Sequence, residues 1–455
     1  MEHTKKLAKF CRETSFGDLP REVIKIAKQT ILDTLGCAVG THLDEPEKPK
    51  VINQVVREIG MANQAATVIC AKMKATAAFA ALANGVICHG IDFDDTHGEA
   101  LTHTSAVIVP AALATAEEMG KSGRDFIVSY VLGFEIAVRV GMAVMPSHYE
   151  YWHSTATNGT FGAAAAAGKN YNFQEEDYIH AFGFSGTQAA GLLTYLKFGD
   201  YTKSFNPGKA AFNGILSALM VKAGGTAPPN MIENPKGYTG AYSKEPALEK
   251  LIRGLEDGPM VWEILKNMLK PFPSLAASHT PMDVTLRLVK ENDLKPEDIV
   301  KITNRTYNTV KTHFSNYEPK TVMAARLSVP YCIAVCAAKR KGSLDAFHED
   351  TINDPTVQEM LKKVEIVADP ELTKLYPEKF PSQIEIITRD GRVFKGEMYY
   401  AKGSPKNPFT DEEVNEKFRT LAEPILGSAK VREIIAMAAN LEDVKDIREF
   451  TRLFA

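Results

Sequence analysis

The chain has 455 residues, 45% of them hydrophobic and 24% charged, with a formal net charge of -3. A soft prior of ~150 residues per domain then predicts two or three domains with well-filled cores. The balanced charge excludes electrostatic binding of nucleic acid or an anionic membrane, so a site for an acidic ligand must be locally basic. No uninterrupted apolar run of about 20 residues is present and the first residues contain no apolar signal region, which predicts no membrane span and a cytoplasmic location.

In chain order, the first ~265 residues read as helix after helix. Asp18-Leu19-Pro20 is expected to cap a helix whose apolar residues Val23, Ile24, Ala27, Ile31, Leu32 and Leu35 recur at helical spacing. Further helical runs are predicted over 75–88, 106–119, 125–144, 158–168, 176–193 and 209–222. They are rich in Ala and Gly, which lets helices approach closely and predicts several buried helices. Beyond Pro271-Phe272-Pro273 strand chemistry enters at 299–307, 364–368, 383–389 and 392–395, the last two flanking Asp390-Gly391, a strong hairpin signal. Helices are expected between them at 282–290 and 326–339, and a capping box, Thr410 with Glu413, opens a later helix. The expected fold is mainly α: a large all-helical domain formed by both chain ends (1–268 and 402–455), plus a smaller inserted α+β lid domain (269–401).

The six cysteines are sparse and lie mostly among apolar residues, with none of the spacings of a zinc or iron–sulfur site. They read as reduced thiols. Dinucleotide, phosphate-loop, His-Glu-x-x-His and nucleophile-elbow motifs are absent, so no cofactor and no metal are expected.

The most unusual segment runs from His89 to His103, His89-Gly90-Ile91-Asp92-Phe93-Asp94-Asp95-Thr96-His97-Gly98-Glu99-Ala100-Leu101-Thr102-His103. Carboxylates and histidines crowd there between apolar helices, where buried charge must be paired, hydrogen-bonded or neutralised. Asp92-x-Asp94-x-Thr96 matches the Mg²⁺-dependent phosphatase pattern, but that pattern follows a strand and here a helical run precedes it. A metal-free acid/base site remains. A second cluster, Trp152 to Gly162, places His153 ahead of the Asn158-Gly159 helix start. A third, Thr202 to Lys209, puts Lys203 and Lys209 at the start of a helix, where cations oppose the helix dipole unless an anion joins them. Leu269-Lys270-Pro271-Phe272-Pro273-Ser274 stands at the junction of the expected domains.

Together these stretches, with Thr202-Lys203 and Gly403-Ser404-Pro405-Lys406-Asn407-Pro408, resemble the MmgE/PrpD family along nearly the whole chain. The resemblance implies a helical domain with an α+β lid, a homodimer, and a small di- or tricarboxylate as partner. Family activities include 2-methylcitrate dehydration, cis-aconitate decarboxylation and iminodisuccinate epimerisation. Asp92, Thr96 and His103 fall on active-site positions of the first motif, and His153 falls on a second site histidine. Lys203 and Lys270 fall on basic positions, and Tyr331 on a tyrosine contributed by the lid. Two positions depart from the pattern: Leu275 stands where the decarboxylase-like pattern has histidine, and Asn206 where many relatives have it. Both departures point away from cis-aconitate decarboxylation.

The expected activity is a cofactor-independent hydro-lyase resembling 2-methylcitrate dehydratase, with epimerase as the alternative and decarboxylase third. A non-catalytic carboxylate binder is the reading from a different class. In the expected mechanism Lys203 and Lys270 hold carboxylates, His103 moves the proton with Asp92 setting its orientation, and His153 or Tyr331 serves the opposite face.

Overall fold

The computed structural model describes residues 2–195, 200–255, 259–376 and 378–455. The chain is mainly α and divides into two compact units, Met1–Met268 with Thr410–Ala455, and Leu269–Phe409. The return to the first unit thus falls at the capping-box threonine, Thr410, whose side chain caps the following helix together with Glu413.

The longer helices of the first unit are α1 (Glu2–Glu13), α2 (Arg21–Asp44), α3 (Glu47–Ile59), α4 (Ala77–Cys88), α5 (Ser105–Met119), α6 (Gly123–Val144), α7 (Ser154–Asn170), α8 (Glu175–Gln188) and α9 (Thr202–Lys222). Asp18 does not cap α2. It closes a capping box with Ser15 around the turn 16–18, and Pro20 stands at the N-cap of α2. Helix α7 begins at Ser154, earlier than the Asn158-Gly159 start expected from sequence, and this places His153 at its N-cap. The expectation of a purely helical unit is corrected by two short antiparallel pairs: β1 (Ala66–Val68) with β2 (Met73–Ala75), and β3 (Thr96–His97) with β4 (Asn267–Met268). In the first pair, the Thr67 backbone N–H and hydroxyl both donate to the buried Glu117 carboxylate, which holds the segment extended.

Small residues set the helix crossings, because a missing side chain lets two backbones meet. A Cβ on Gly85 of α4 would lie 2.6 Å from Gly208 Cα of α9, and one on Gly214 of α9 would lie 2.4 Å from Ala163 Cβ of α7. Gly162 of α7 meets the Gly133 carbonyl of α6 in the same way, and Gly159 meets Val107 of α5. Helix α7 is therefore the hub, with α5, α6 and α9 against it. Helix α6 is long and apolar enough to cross a membrane by length and composition, but its apolar window is wholly buried within the protein, as in a core helix.

The second unit holds β5 (Ile299–Thr306), β6 (Val364–Ala368), β7 (Ser382–Thr388) and β8 (Val393–Met398) in the order β6-β5-β7-β8. The β5–β6 pair is parallel and the others are antiparallel. Strand β7 alternates strictly between buried and half-buried positions, so Ile384 and Ile386 enter the core with Ile302 of β5. The β7–β8 turn is the expected Asp390-Gly391, with Gly391 at φ 82°. Helices α10 (Ala276–Glu291), α11 (Val329–Lys339) and α12 (Pro355–Lys362) share this core. Helices α13 (Asp411–Leu426) and α14 (Ser428–Ala439) belong to the first unit.

Candidate active site

Helix α4 ends at His89, and the turn that follows is clamped by its own carbonyls. Thr41 of α2 donates to the Ile87 carbonyl at 2.7 Å, Lys48 of α3 donates to the Gly90 carbonyl, and Lys417 of α13 donates to the Phe93 carbonyl at 2.7 Å. Gly90 fits because a Cβ there would lie 2.3 Å from the Thr41 methyl. Lys417 also pairs with the buried Asp33 at 2.7 Å and lies 3.8 Å from the Phe93 ring centroid. Asp92 takes φ 55°, a left-handed conformation that aspartate tolerates better than most residues.

This turn carries the carboxylates of the site. Asp92 Oδ2 is 2.7 Å from Lys203 Nζ, with both side chains buried. Both oxygens of the fully buried Asp94 lie 2.9 Å from His89 Nδ1, and Oδ2 is 3.8 Å from His103 Nδ1. Asp95 turns the other way and accepts from the Ser105 N–H at 3.1 Å, the Ser105 hydroxyl at 2.7 Å and the Asn267 amide at 2.8 Å. Burial, and then the Asp94 charge, push the Asp95 carboxyl up to about 7.

His103 stands just before α5. Its Nδ1 is 2.8 Å from the Asp95 carbonyl oxygen and 3.2 Å from Thr96 Oγ1. A carbonyl only accepts, so Nδ1 carries the proton and Nε2 is the lone-pair nitrogen of the neutral ring. His153, at the N-cap of α7, has the reverse arrangement. Its Nδ1 is 3.1 Å from Asn206 Nδ2, an amide donor, which leaves the proton on Nε2. Burial, and then the neighbouring His89, His103 and Lys203, hold His153 well below the usual histidine range, so it is neutral at pH 7. The backbone N–H of His153 donates to the Gly191 carbonyl at 2.9 Å, and the Tyr195 ring lies edge-on at 5.1 Å between centroids.

The three imidazoles form one group. Ring centroids are 4.6 Å apart for His89 and His103, 6.0 Å for His89 and His153, and 6.5 Å for His103 and His153. Because His103, His153 and Lys203 stand at the starts of α5, α7 and α9, the N-termini of three helices converge on the cluster. Their dipoles and the Lys203 ammonium offset the Asp92 and Asp94 carboxylates and favour an anion beside them. Part of the anion that the cationic start of α9 demanded is the protein's own Asp92.

Of the site residues expected from sequence, Asp92, Thr96, His103, His153 and Lys203 are brought together in the first unit. Lys270 and Tyr331 lie in the second unit, where the Tyr331 hydroxyl donates to the Ala346 carbonyl at 2.6 Å. Lys209 is spent on the Ala190 carbonyl at 2.6 Å. His89, Asp94 and Asn206 join the site without having been assigned a role from sequence. His89 and Asp94 were visible in the crowded first motif, and Asn206 only as a departure from the family pattern in the Thr202-Lys203 stretch. Tyr195 carries no sequence signal.

Ligand atoms of His89, Asp92, Asp94 and His103 lie within 4.8 Å of one another, close enough in number and spacing to hold a metal ion. Their chemistry argues for protons instead. Lys203 answers the Asp92 charge and His89 donates to Asp94, so a divalent cation would have to displace an ammonium.

The MmgE/PrpD N-terminal domain matches residues 5–251 and the MmgE/PrpD C-terminal domain matches residues 272–443. The chain is similar to a cis-aconitate decarboxylase of Aspergillus terreus, 26% identical with 99% of this chain and 95% of the relative covered. It is also similar to cis-aconitate decarboxylases of Homo sapiens (28% identical, 96% and 91% covered) and Mus musculus (27%, 95% and 89%). With both family domains matched in order over most of its length, this chain belongs to the MmgE/PrpD family.

Proposed function

We propose that the protein is a lyase for a small di- or tricarboxylic acid and that it works by removing a proton from carbon beside a carboxylate. The observation that carries this reading is the pair of opposite tautomers, His103 with its lone pair at Nε2 and His153 with its proton at Nε2. Such a proton is weakly acidic, so the site must neutralise the carboxylate and place a base beside the carbon. Lys203 and the three helix N-termini hold one carboxylate, and Lys270 is assigned to a second. His103 Nε2 accepts the proton. The hydroxyl departs as water by taking up the proton held on His103, while the His153 Nε2–H donates a hydrogen bond to its oxygen. Neutral His153 acts as a hydrogen-bond donor rather than as an imidazolium, because its surroundings oppose the charged form. His153 is preferred to Tyr331 as the donor because the Tyr331 hydroxyl proton is engaged by the Ala346 carbonyl.

Within this reading a hydro-lyase resembling 2-methylcitrate dehydratase ranks first. It uses base and donor together, whereas an epimerase returns the proton on the other face and has no leaving group. Decarboxylation is the second reading, favoured by the cis-aconitate decarboxylases among the relatives. Against it stands Leu275, an apolar residue where the decarboxylase-like pattern has histidine. No cofactor enters either route.

The test is a panel of di- and tricarboxylates, 2-methylcitrate and cis-aconitate among them, incubated in heavy water. Dehydration gives an unsaturated acid and leaves solvent deuterium only in substrate recovered after reversible proton removal, whereas decarboxylation releases carbon dioxide and leaves solvent deuterium in the product. His103→Ala is expected to lower kcat by roughly 10²–10⁴-fold on the acid that turns over. Near-normal turnover by that variant would remove His103 from the mechanism.

A further inference from the structure

Asp94 lies between two imidazoles, in contact with one and close to the other. Both of its oxygens are within 2.9 Å of His89 Nδ1, while Oδ2 is 3.8 Å from His103 Nδ1. The carboxyl is fully buried, and the His89 ring lies 4.6 Å from the His103 ring between centroids. His89 spends its hydrogen bonding on Asp94 alone. Its buried Nε2 has no hydrogen-bond partner among the described residues.

We propose that His89 and Asp94 are a positioning pair for the base, with Asp94 as the counter-charge of His103 and His89 as the donor that holds that carboxylate in place. This rests on the reading of His103 as the base. When His103 Nε2 takes a proton from the substrate carbon, positive charge spreads over its ring, and the electron pair stays with the carbon and its carboxylate. The Nδ1 edge of the ring faces Asp94, whose charge favours the imidazolium as it forms. A carboxylate free to rotate would supply less, because reorganisation would consume the gain. Donation from His89 Nδ1–H to both oxygens fixes Asp94 beforehand. Asp92 lies on the Lys203 side of the cluster and is paired there. Neither His89 nor Asp94 needs to touch the substrate.

Three near-isosteric variants test the pair. Asp94→Asn keeps the shape and removes the charge. His89→Asn keeps a donor near the position of Nδ1, and His89→Leu removes it. Circular dichroism and melting of each variant check that the fold is kept. On an acid that turns over, Asp94→Asn is expected to lower kcat roughly 100-fold with KM changed by less than about threefold, the signature of an interaction made in the transition state. His89→Leu should follow it, while His89→Asn should stay within about tenfold of the parent.

A second readout needs no substrate. Nuclear magnetic resonance of labelled histidine follows protonation of His103 in the presence of its charged neighbours Asp92, Asp94 and Lys203 and of the rings of His89 and His153. Its midpoint is expected to move to lower pH in Asp94→Asn, because a nearby negative charge has been removed. If no acid turns over, the lyase reading fails, and the resonance experiment still decides the pairing. An unmoved midpoint, Asp94→Asn within threefold of the parent in kcat, or indistinguishable His89→Leu and His89→Asn would each overturn the proposal.

Discussion

Asp95 and Asp94 are adjacent in sequence, and the turn sends them into different roles. Asp94 faces the imidazoles, while Asp95 faces Ser105 and Asn267 and ties the turn to α5 and β4. Since the Asp95 carboxyl is raised to about 7, the folded state holds that proton more tightly than the unfolded chain does. Its contribution to stability is therefore fully present below the unfolded carboxylate range, near pH 4, and is lost as pH rises through about 7. Asp95→Asn, which cannot ionise and is nearly isosteric, is expected to remove this loss. Measured by chemical unfolding, the gap between variant and parent should widen in the variant's favour from pH 5 to pH 8, reaching on the order of 1–3 kcal/mol. A gap that stays constant with pH would show that Asp95 does not titrate in this range.

Among the elements, the crossing of α4 and α9 does most to assemble the site, because it carries the start of α9 to the end of α4 and so Lys203 to Asp92. A Cβ on Gly208 would lie 2.3 Å from the Leu82 carbonyl and 2.9 Å from a Val86 methyl. In a solvent-facing helix Gly→Ala stabilises by up to about 1 kcal/mol through propensity. Here the contact is with backbone and cannot be relieved by rotating a side chain. Gly208→Ala is therefore expected to destabilise by about 1–3 kcal/mol. It should also raise KM for the acid more than it lowers kcat, because the ammonium is moved from its carboxylate. Stabilisation of the variant would mean that α9 shifts freely at this crossing.

For the whole molecule, the sequence families and the compact units divide the chain differently. The C-terminal family domain runs through residues 272–443, yet α13 and α14 within that range lie in the same compact unit as residues 1–268. Lys417 is the clearest reason. It comes from the far end of the chain, pairs with the buried Asp33 of α2 and donates to the Phe93 carbonyl in the middle of the turn that carries Asp92, Asp94 and Asp95. Removing one partner of a buried ion pair leaves an uncompensated charge. Lys417→Met is expected to cost about 3–5 kcal/mol in chemical unfolding and to lower kcat as well, since the turn loses one of its clamps. Unchanged stability would show that the C-terminal helices are accessory to the first unit.

Much of this was legible without a structure. Helical spacing and Ala/Gly-rich composition gave the buried helices, Asp390-Gly391 gave the β7–β8 turn, and the unusual crowding of ionisable groups from His89 to His103 marked the site. These are local properties, fixed by residue periodicity, turn stereochemistry and the cost of burying charge. The sequence could not say which carboxylate serves which imidazole, because Asp92, Asp94 and Asp95 are chemically alike and differ only in where one turn aims them. Nor could it show that Asn206 sets the His153 tautomer, or that Tyr331 is held by Ala346, since each pairing joins residues brought together by helix crossings. Tertiary structure decided the partners and protonation states, because a hydrogen bond of 3 Å depends on the placement of two backbones that the local sequence of neither one specifies.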